Sequence, residues 1–200
     1  MTRLVLQLHA GFVLAGMGTT LLGPVIPILT AAWGLDDREA GRLFAAQFGG
    51  ALTATSVSAL VARRIGAPRT LAAGFLLFAA GIGAIGVVPR EAAIAAALTF
   101  GLGQGLVLPL TNIAIATLYP ARPAGALSLV NVSWGVGAVL WPLVVGALAR
   151  PDDPSPATTA LASGCCLSGV AWLFTGHTVR ERPASGTDTP PAREAVPLRV

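Results

Sequence analysis

The sequence predicts an all-α membrane protein whose six transmembrane helices form a 3+3 inverted repeat. Three observations support this prediction. Hydrophobic residues make up 54% of the 200-residue chain and charged residues only 11%, against roughly 25% charged in a soluble domain. Six apolar runs, each long enough to cross a bilayer, alternate with short charged or Pro- and Gly-rich segments. A pattern of glycine and proline in the first run also recurs in the fourth.

The six runs set the predicted domain organisation. A straight helix over the first run would be about 45 Å long, more than the ~30 Å hydrocarbon core, so this span must tilt, project or bend. Pro24 and Pro27 supply sites for a bend. Residues 1–176 are predicted to form one bundle, and residues 177–200, rich in Pro, Arg, Ser and Thr, a flexible cytoplasmic tail. The predicted spans cover residues 4–33, 43–62, 70–88, 92–119, 125–149 and 157–176.

The arginines predict the orientation, since cytoplasmic loops of membrane proteins carry an excess of cations. The chain has 13 arginines and no lysine, mostly at the ends of apolar runs. This placement predicts a lipid bilayer as partner and argues against nucleic acid, which needs a continuous basic face. Both termini are predicted to be cytoplasmic, in a plasma or inner membrane. The inner set is then Arg3, Arg63, Arg64, Arg69, Arg122, Arg180, Arg182, Arg193 and Arg199, and the outer set is Arg38, Arg42, Arg90 and Arg150.

An internal repeat links the first and fourth runs. Gly-x-Gly followed by proline eight residues after the first glycine occurs at residues 16–24 and again at 101–109, an offset of 85. Repeats of three helices against three are typical of transporter folds, and an odd number of helices inverts the second copy. Polar residues recur at matching places: Thr19 with Gln104, and Gln47 with Asn131.

Uncharged polar residues are the candidates for a binding site, because no Asp, Glu, Lys or Arg lies inside a predicted span. An amide beside an aromatic face suits a neutral polar solute such as a polyol. The alternative for each residue is a hydrogen bond between helices. His9 is the only candidate proton carrier, or else an interfacial residue. The predicted substrate-binding residues are Gln104, Asn131, Asn112, Trp134, Thr19, Thr20 and Gln47.

Other kinds of chemistry find no support in the sequence. The adjacent Cys165 and Cys166 point about 100° apart on a helix, which is poor geometry for a disulfide, and no further metal ligands lie nearby. The segment 101–105 lacks the preceding strand of a dinucleotide loop. No nucleophile lies beside a general base. We therefore predict no metal site, no cofactor and no enzymatic activity.

The chain resembles the N-terminal six-helix half of a major facilitator superfamily transporter, nearest the fucose-permease and sugar-transporter branch. The resemblance implies alternating access around a solute held at mid-membrane between two six-helix bundles. The family's aspartate in the basic loop is replaced by Arg63, its helix-four arginine would fall at Ala97, and its membrane carboxylates are missing, which argues against proton symport. The resemblance rests on Gly11-Phe12, Leu22-Gly23-Pro24, Pro27, Ala62 to Gly66, Gly101, Gly103, Gly105, Pro109, Asn131 to Gly135, Gly137, Pro142 and Gly146.

Two functional hypotheses follow, because members of this family have about twelve helices. In the first, the chain is a half-size transporter that moves a small, neutral polar solute as a homodimer or with a second six-helix half. In the second, it is a truncated or split membrane protein with a structural or binding role and no transport of its own.

Overall fold

A computed structural model describes residues 2–175. The predicted tail at 177–200 and residue 176 of the predicted bundle lie outside the described residues. A single 3-10 turn at Arg90–Ala92 precedes the fifth helix. The α-helices are α1 (Thr2–Thr19), α2 (Leu22–Trp33), α3 (Asp37–Ile65), α4 (Ala67–Ile85), α5 (Ala93–Leu118), α6 (Pro123–Leu148) and α7 (Ser155–Thr175).

The predicted all-α membrane fold with six spans is confirmed. Within residues 2–175, six helical stretches are long and apolar enough to cross a membrane, and α1 and α2 together supply the first. The second span starts before its apolar run because Asp36 and Glu39 form a capping box at the start of α3. Each of these side chains accepts a hydrogen bond from the other's backbone N–H, which stabilises a polar first turn.

The helical hydrogen bonding of the first span is interrupted at Thr20 and Leu21, between α1 and α2. Pro24 has no N–H to donate to the carbonyl of Thr20, and its ring would clash with that carbonyl in a regular helix. The Thr20 carbonyl instead accepts from Gly23 N at 3.2 Å. Trp141 Nε1 on α6 donates to the carbonyl of Leu21 at 3.1 Å. A buried tryptophan of another helix therefore satisfies a backbone carbonyl at this interruption.

Helices α1 and α6 cross with their backbones in direct contact. A Cβ added at Gly16 would collide with the carbonyl oxygen of Trp134, and a Cβ added at Gly137 would collide with that of Val13. Small residues at such crossings let membrane helices approach closely and gain van der Waals contact. Larger side chains at these two positions would force the helices apart.

Helices α3 and α5 cross in the same way. A Cβ at Gly101 would collide with the carbonyl of Gln47, and a Cβ at Gly50 would lie against the carbonyl of Leu98. The contacting residues at the two crossings are separated by constant sequence offsets. By these offsets Gln47 corresponds to Trp134, whereas the sequence pattern paired Gln47 with Asn131, which lies three residues earlier. Val13 and Gly16 precede Leu98 and Gly101 by 85 residues, and Gln47 and Gly50 precede Trp134 and Gly137 by 87.

Burial differs sharply among the spans. Helix α5 is the most enclosed, because it packs against both α3 and α4. Aromatic side chains fill the space on its α4 side, where the rings of Phe78 and Phe100 lie 6.3 Å apart. Helices α3 and α6 are the least enclosed and expose large apolar side chains such as Leu52 and Val139. Their outer faces are thus suited to lipid or to another membrane protein.

Candidate functional site

A polar network joins four helices inside the bundle. Its centre is Thr19, the last residue of α1. The Thr19 hydroxyl oxygen accepts from Gln104 Nε2 of α5 and from Trp134 Nε1 of α6, each at 3.3 Å. Gln47 Nε2 of α3 donates to the Thr19 carbonyl at 3.2 Å and to Gln104 Oε1 at 3.1 Å. Four of the seven predicted residues thus meet at one point.

The glycines around Gln104 explain why its amide reaches this network. A Cβ at Gly103 would collide with the backbone of α4, and a Cβ at Gly105 with the carbonyl of Ala51 on α3. Helix α5 can therefore sit close between its two neighbours, and Gln104 is buried beside Thr19. Thr20 does not join them, since its hydroxyl donates only to carbonyls of its own helix.

A pocket of about 210 Å³ lies beside the network, between α1, α5 and α6. We call it the solute pocket, because the sequence predicts that Asn112, Asn131 and Trp134 bind a solute. It is lined by Phe12, Leu108, Asn112, Asn131 and Trp134. Asn131 is exposed, and its amide nitrogen donates to the carbonyl of Leu127 at 2.8 Å. Asn112 donates to the carbonyl of Leu108 at 3.2 Å, and its buried Oδ1 has no hydrogen-bond partner among the described residues. Trp134 belongs to both the pocket and the network.

The structure thus divides the predicted residues into two groups. Thr19, Gln47 and Gln104 form hydrogen bonds between helices, whereas Asn112 and Asn131 line a pocket, and Trp134 does both. Sequence reasoning missed Phe12 and Leu108, which line the pocket. It also missed Ser133, whose Oγ is hydrogen-bonded to His9 Nδ1 at 2.7 Å. No spacing signal connects positions 9 and 133, because the pairing depends on how α1 and α6 are rotated.

Charged side chains lie away from the solute pocket. The six acidic residues within 2–175 all lie at the α2–α3, α4–α5 and α6–α7 connections, at one end of the bundle. At this end Arg90 forms an ion pair with Glu39 and donates a hydrogen bond to the Trp33 carbonyl. Hydrogen bonds from Ser155 at this end lower the pKa of the Asp153 carboxyl. We call the opposite end the arginine end, since its described charges are Arg3, Arg63, Arg64, Arg69 and Arg122. No group of three His, Cys, Asp or Glu side chains able to hold a metal occurs within residues 2–175.

Comparison with known proteins identifies the family. The family model of the Major Facilitator Superfamily matches residues 8–199. The chain belongs to the Major Facilitator Superfamily. No curated protein matches this sequence.

Two solved structures share the Major Facilitator fold of this chain. The crystal structure of a D-xylose–proton symporter superposes with a TM-score of 0.69 at 20% identity, covering 90% of this chain and 48% of that one. The inward-open xylose transporter XylE from E. coli gives a TM-score of 0.65 at 20% identity, with the same coverage of both chains. The chain therefore spans about half the length of the transporters it matches. The predicted resemblance to a six-helix half is confirmed.

Proposed function

We propose that this chain is one six-helix bundle of a carrier that moves a small, neutral polar solute across a membrane by alternating access. The observation that carries the proposal is the solute pocket. It brings two amides, Asn112 and Asn131, and the indole of Trp134 together with the apolar side chains of Phe12 and Leu108. A few placed polar groups on an apolar and aromatic wall are what small-molecule sites usually contain.

The chemistry of the pocket supports a neutral solute with hydroxyl groups. No charged side chain lines it, so an ionised solute would be desolvated there without a counter-charge. The buried Oδ1 of Asn112 is an acceptor without a partner among residues 2–175, and a solute hydroxyl would satisfy it. The fold shared with two xylose transporters agrees with this chemistry.

A second bundle is part of the proposal. The pocket volume of about 210 Å³ is below the roughly 300–1,000 Å³ of most ligand sites. The chain also covers 48% of the xylose transporters it resembles. A second copy of the chain, or another six-helix half, would supply the opposite wall.

The two glycine crossings support an inverted repeat within the bundle. The α1–α6 and α3–α5 crossings use residues at constant sequence offsets of 85 and 87. An inverted repeat relates the first helix to the fourth and the second to the fifth, so it would generate one crossing from the other.

The charge distribution supports cytoplasmic termini. The arginine end carries five of the nine arginines that the sequence predicts to be inside, whereas the other end carries the four predicted to be outside. By the positive-inside rule, the arginine end would face the cytoplasm of a plasma or inner membrane.

Uptake into proteoliposomes tests this function. The purified chain would be reconstituted, and entry of labelled neutral sugars, beginning with D-xylose, would be measured. We expect uptake that Asn131→Ala and Asn112→Ala each abolish, because each removes an amide from the pocket wall. Gln104→Ala should also abolish it by opening the network that holds Trp134.

The matched control is Ser163→Ala on α7, whose hydroxyl donates only to the Thr159 carbonyl of its own helix. It should transport as the unsubstituted chain does. Unchanged uptake in both asparagine variants would show that the solute does not bind in this pocket. Saturable sugar binding without uptake would instead favour the binding role over transport by this chain alone.

A further inference from the structure

We propose that a second pocket, at the arginine end, binds a small anion carrying a carboxylate or phosphate group. This end pocket has a volume of about 280 Å³ and lies between α1 and the α5–α6 connection. It brings together His9 of α1, Tyr119 at the end of α5, and Arg122 and Gly125 at the start of α6. None of these four residues lines the solute pocket.

Three of the eight lining residues, His9, Tyr119 and Arg122, carry polar side chains suited to anionic oxygens, and the other five are apolar residues or glycine. The planar guanidinium of Arg122 presents several N–H groups in the fork that matches carboxylates and phosphates. The Tyr119 hydroxyl adds a donor from α5. His9 also lines the pocket, and its Nδ1 is hydrogen-bonded to Ser133 Oγ at 2.7 Å.

The start of α6 adds further donors. This helix runs for 26 residues from Pro123, which has no N–H. Ala126 N donates to the Arg122 carbonyl at 3.3 Å, so the free first-turn amides are those of Ala124 and Gly125. Gly125 lies in that turn and lines the pocket without a side chain to cover the backbone. The partial positive charge of the helix start acts in the same direction as Arg122.

The pocket has no described counter-charge. Every acidic side chain within 2–175 lies at the other end of the bundle, and so do the two ion pairs found there, Glu39–Arg90 and Arg150–Asp153. An anion would therefore meet attraction from Arg122 without competition from a described carboxylate.

The end pocket is separate from the solute pocket. Arg122 and Asn131 are nine residues apart on α6, or about 14 Å along the helix axis. A small solute cannot contact both side chains. The anion therefore has a site of its own, and its source is either a soluble anion or the phosphate of a lipid headgroup.

Thermal unfolding of the whole chain in lipid nanodiscs tests the proposal in two arms. In phosphatidylcholine discs, inorganic phosphate is titrated against chloride at equal ionic strength. In the second arm no phosphate is added, and part of the lipid is replaced by phosphatidylglycerol. We expect a rise in Tm in the first arm if the anion is soluble, and in the second arm if it is a lipid headgroup.

Three variants decide the result. Arg122→Gln should weaken the apparent affinity at least about tenfold, since it removes a charged hydrogen-bonding partner. Tyr119→Phe should lose part of the response, and it keeps the test open if Arg122→Gln does not fold. Arg63→Gln, at the same end but outside the pocket, should respond as the unsubstituted chain does. The proposal is overturned if neither arm raises the Tm, or if the Arg122, Tyr119 and Arg63 variants respond alike.

Discussion

Thr19→Val is the sharpest test of the polar network, because one hydroxyl oxygen accepts hydrogen bonds from two other helices. Valine has a similar shape but leaves Gln104 Nε2 and Trp134 Nε1 without this acceptor. Interhelical hydrogen bonds in membrane proteins average about 0.6 kcal/mol, with a maximum of about 1.7. Two of them correspond to about 1.2 kcal/mol, with an upper bound of about 3.4. The lower value raises the unfolded-to-folded ratio about eightfold.

The assay is equilibrium unfolding in mixed micelles with increasing denaturing detergent, followed by circular dichroism and tryptophan fluorescence. Thr20→Val is the matched control. It removes the neighbouring hydroxyl, which donates only to the carbonyls of Gly16 and Met17 on its own helix. The free energy of unfolding should fall in Thr19→Val and stay within about 0.5 kcal/mol in Thr20→Val. Equal losses in the two variants would refute a network centred on Thr19.

Two further predictions concern the crossings and the outer ion pair. Gly16→Leu should lower the free energy of unfolding by about 3 kcal/mol or more, because its side chain meets the α6 backbone; Gly135→Leu, at a position with nothing within 4 Å of an added Cβ, should have little effect in the same assay. Glu39→Gln should cause a small destabilisation at low salt that disappears at about 1 M NaCl, since the Glu39–Arg90 pair is exposed and glutamine keeps an oxygen for the capping hydrogen bond. Loss of stability in Gly135→Leu equal to that in Gly16→Leu, or a Glu39→Gln effect that survives high salt, would contradict these explanations.

The spans were predictable because hydropathy alone decides which segments can cross a bilayer. The position of the break between α1 and α2 was predictable, since Pro24 removes the hydrogen bond that the Thr20 carbonyl would receive. The start of α3 was less so: the apolar run begins at Leu43, but the Asp36–Glu39 capping box starts the helix earlier. Helix ends depend on such local polar groups, which a hydropathy pattern ignores.

The candidate site was predictable in composition but not in arrangement. Gln104 and Asn131 were both expected to line a cavity, yet Gln104 is bonded to neighbouring helices and Asn131 lines the pocket. Membrane helices that are apolar on all sides lack the polar stripe that shows which face is buried. The rotation of α6, which brings Ser133 to His9 and Trp134 to Thr19, could therefore not be read from the sequence.

The glycine crossings have a mechanical consequence. Each crossing brings two helices into backbone contact, so α1 with α6 and α3 with α5 form two closely packed units. Two hydrogen bonds from described side chains connect these units, and Thr19 accepts both. Gln47 donates to the Thr19 carbonyl, and Gln104 donates to the Thr19 hydroxyl. Sliding one unit past the other would break those two bonds, worth about 1.2 kcal/mol together, and would also disrupt the packing of α5 against α1, α4 and α6. The close α1–α6 and α3–α5 backbone contacts would be kept, so movement within the bundle is expected between these units rather than inside them.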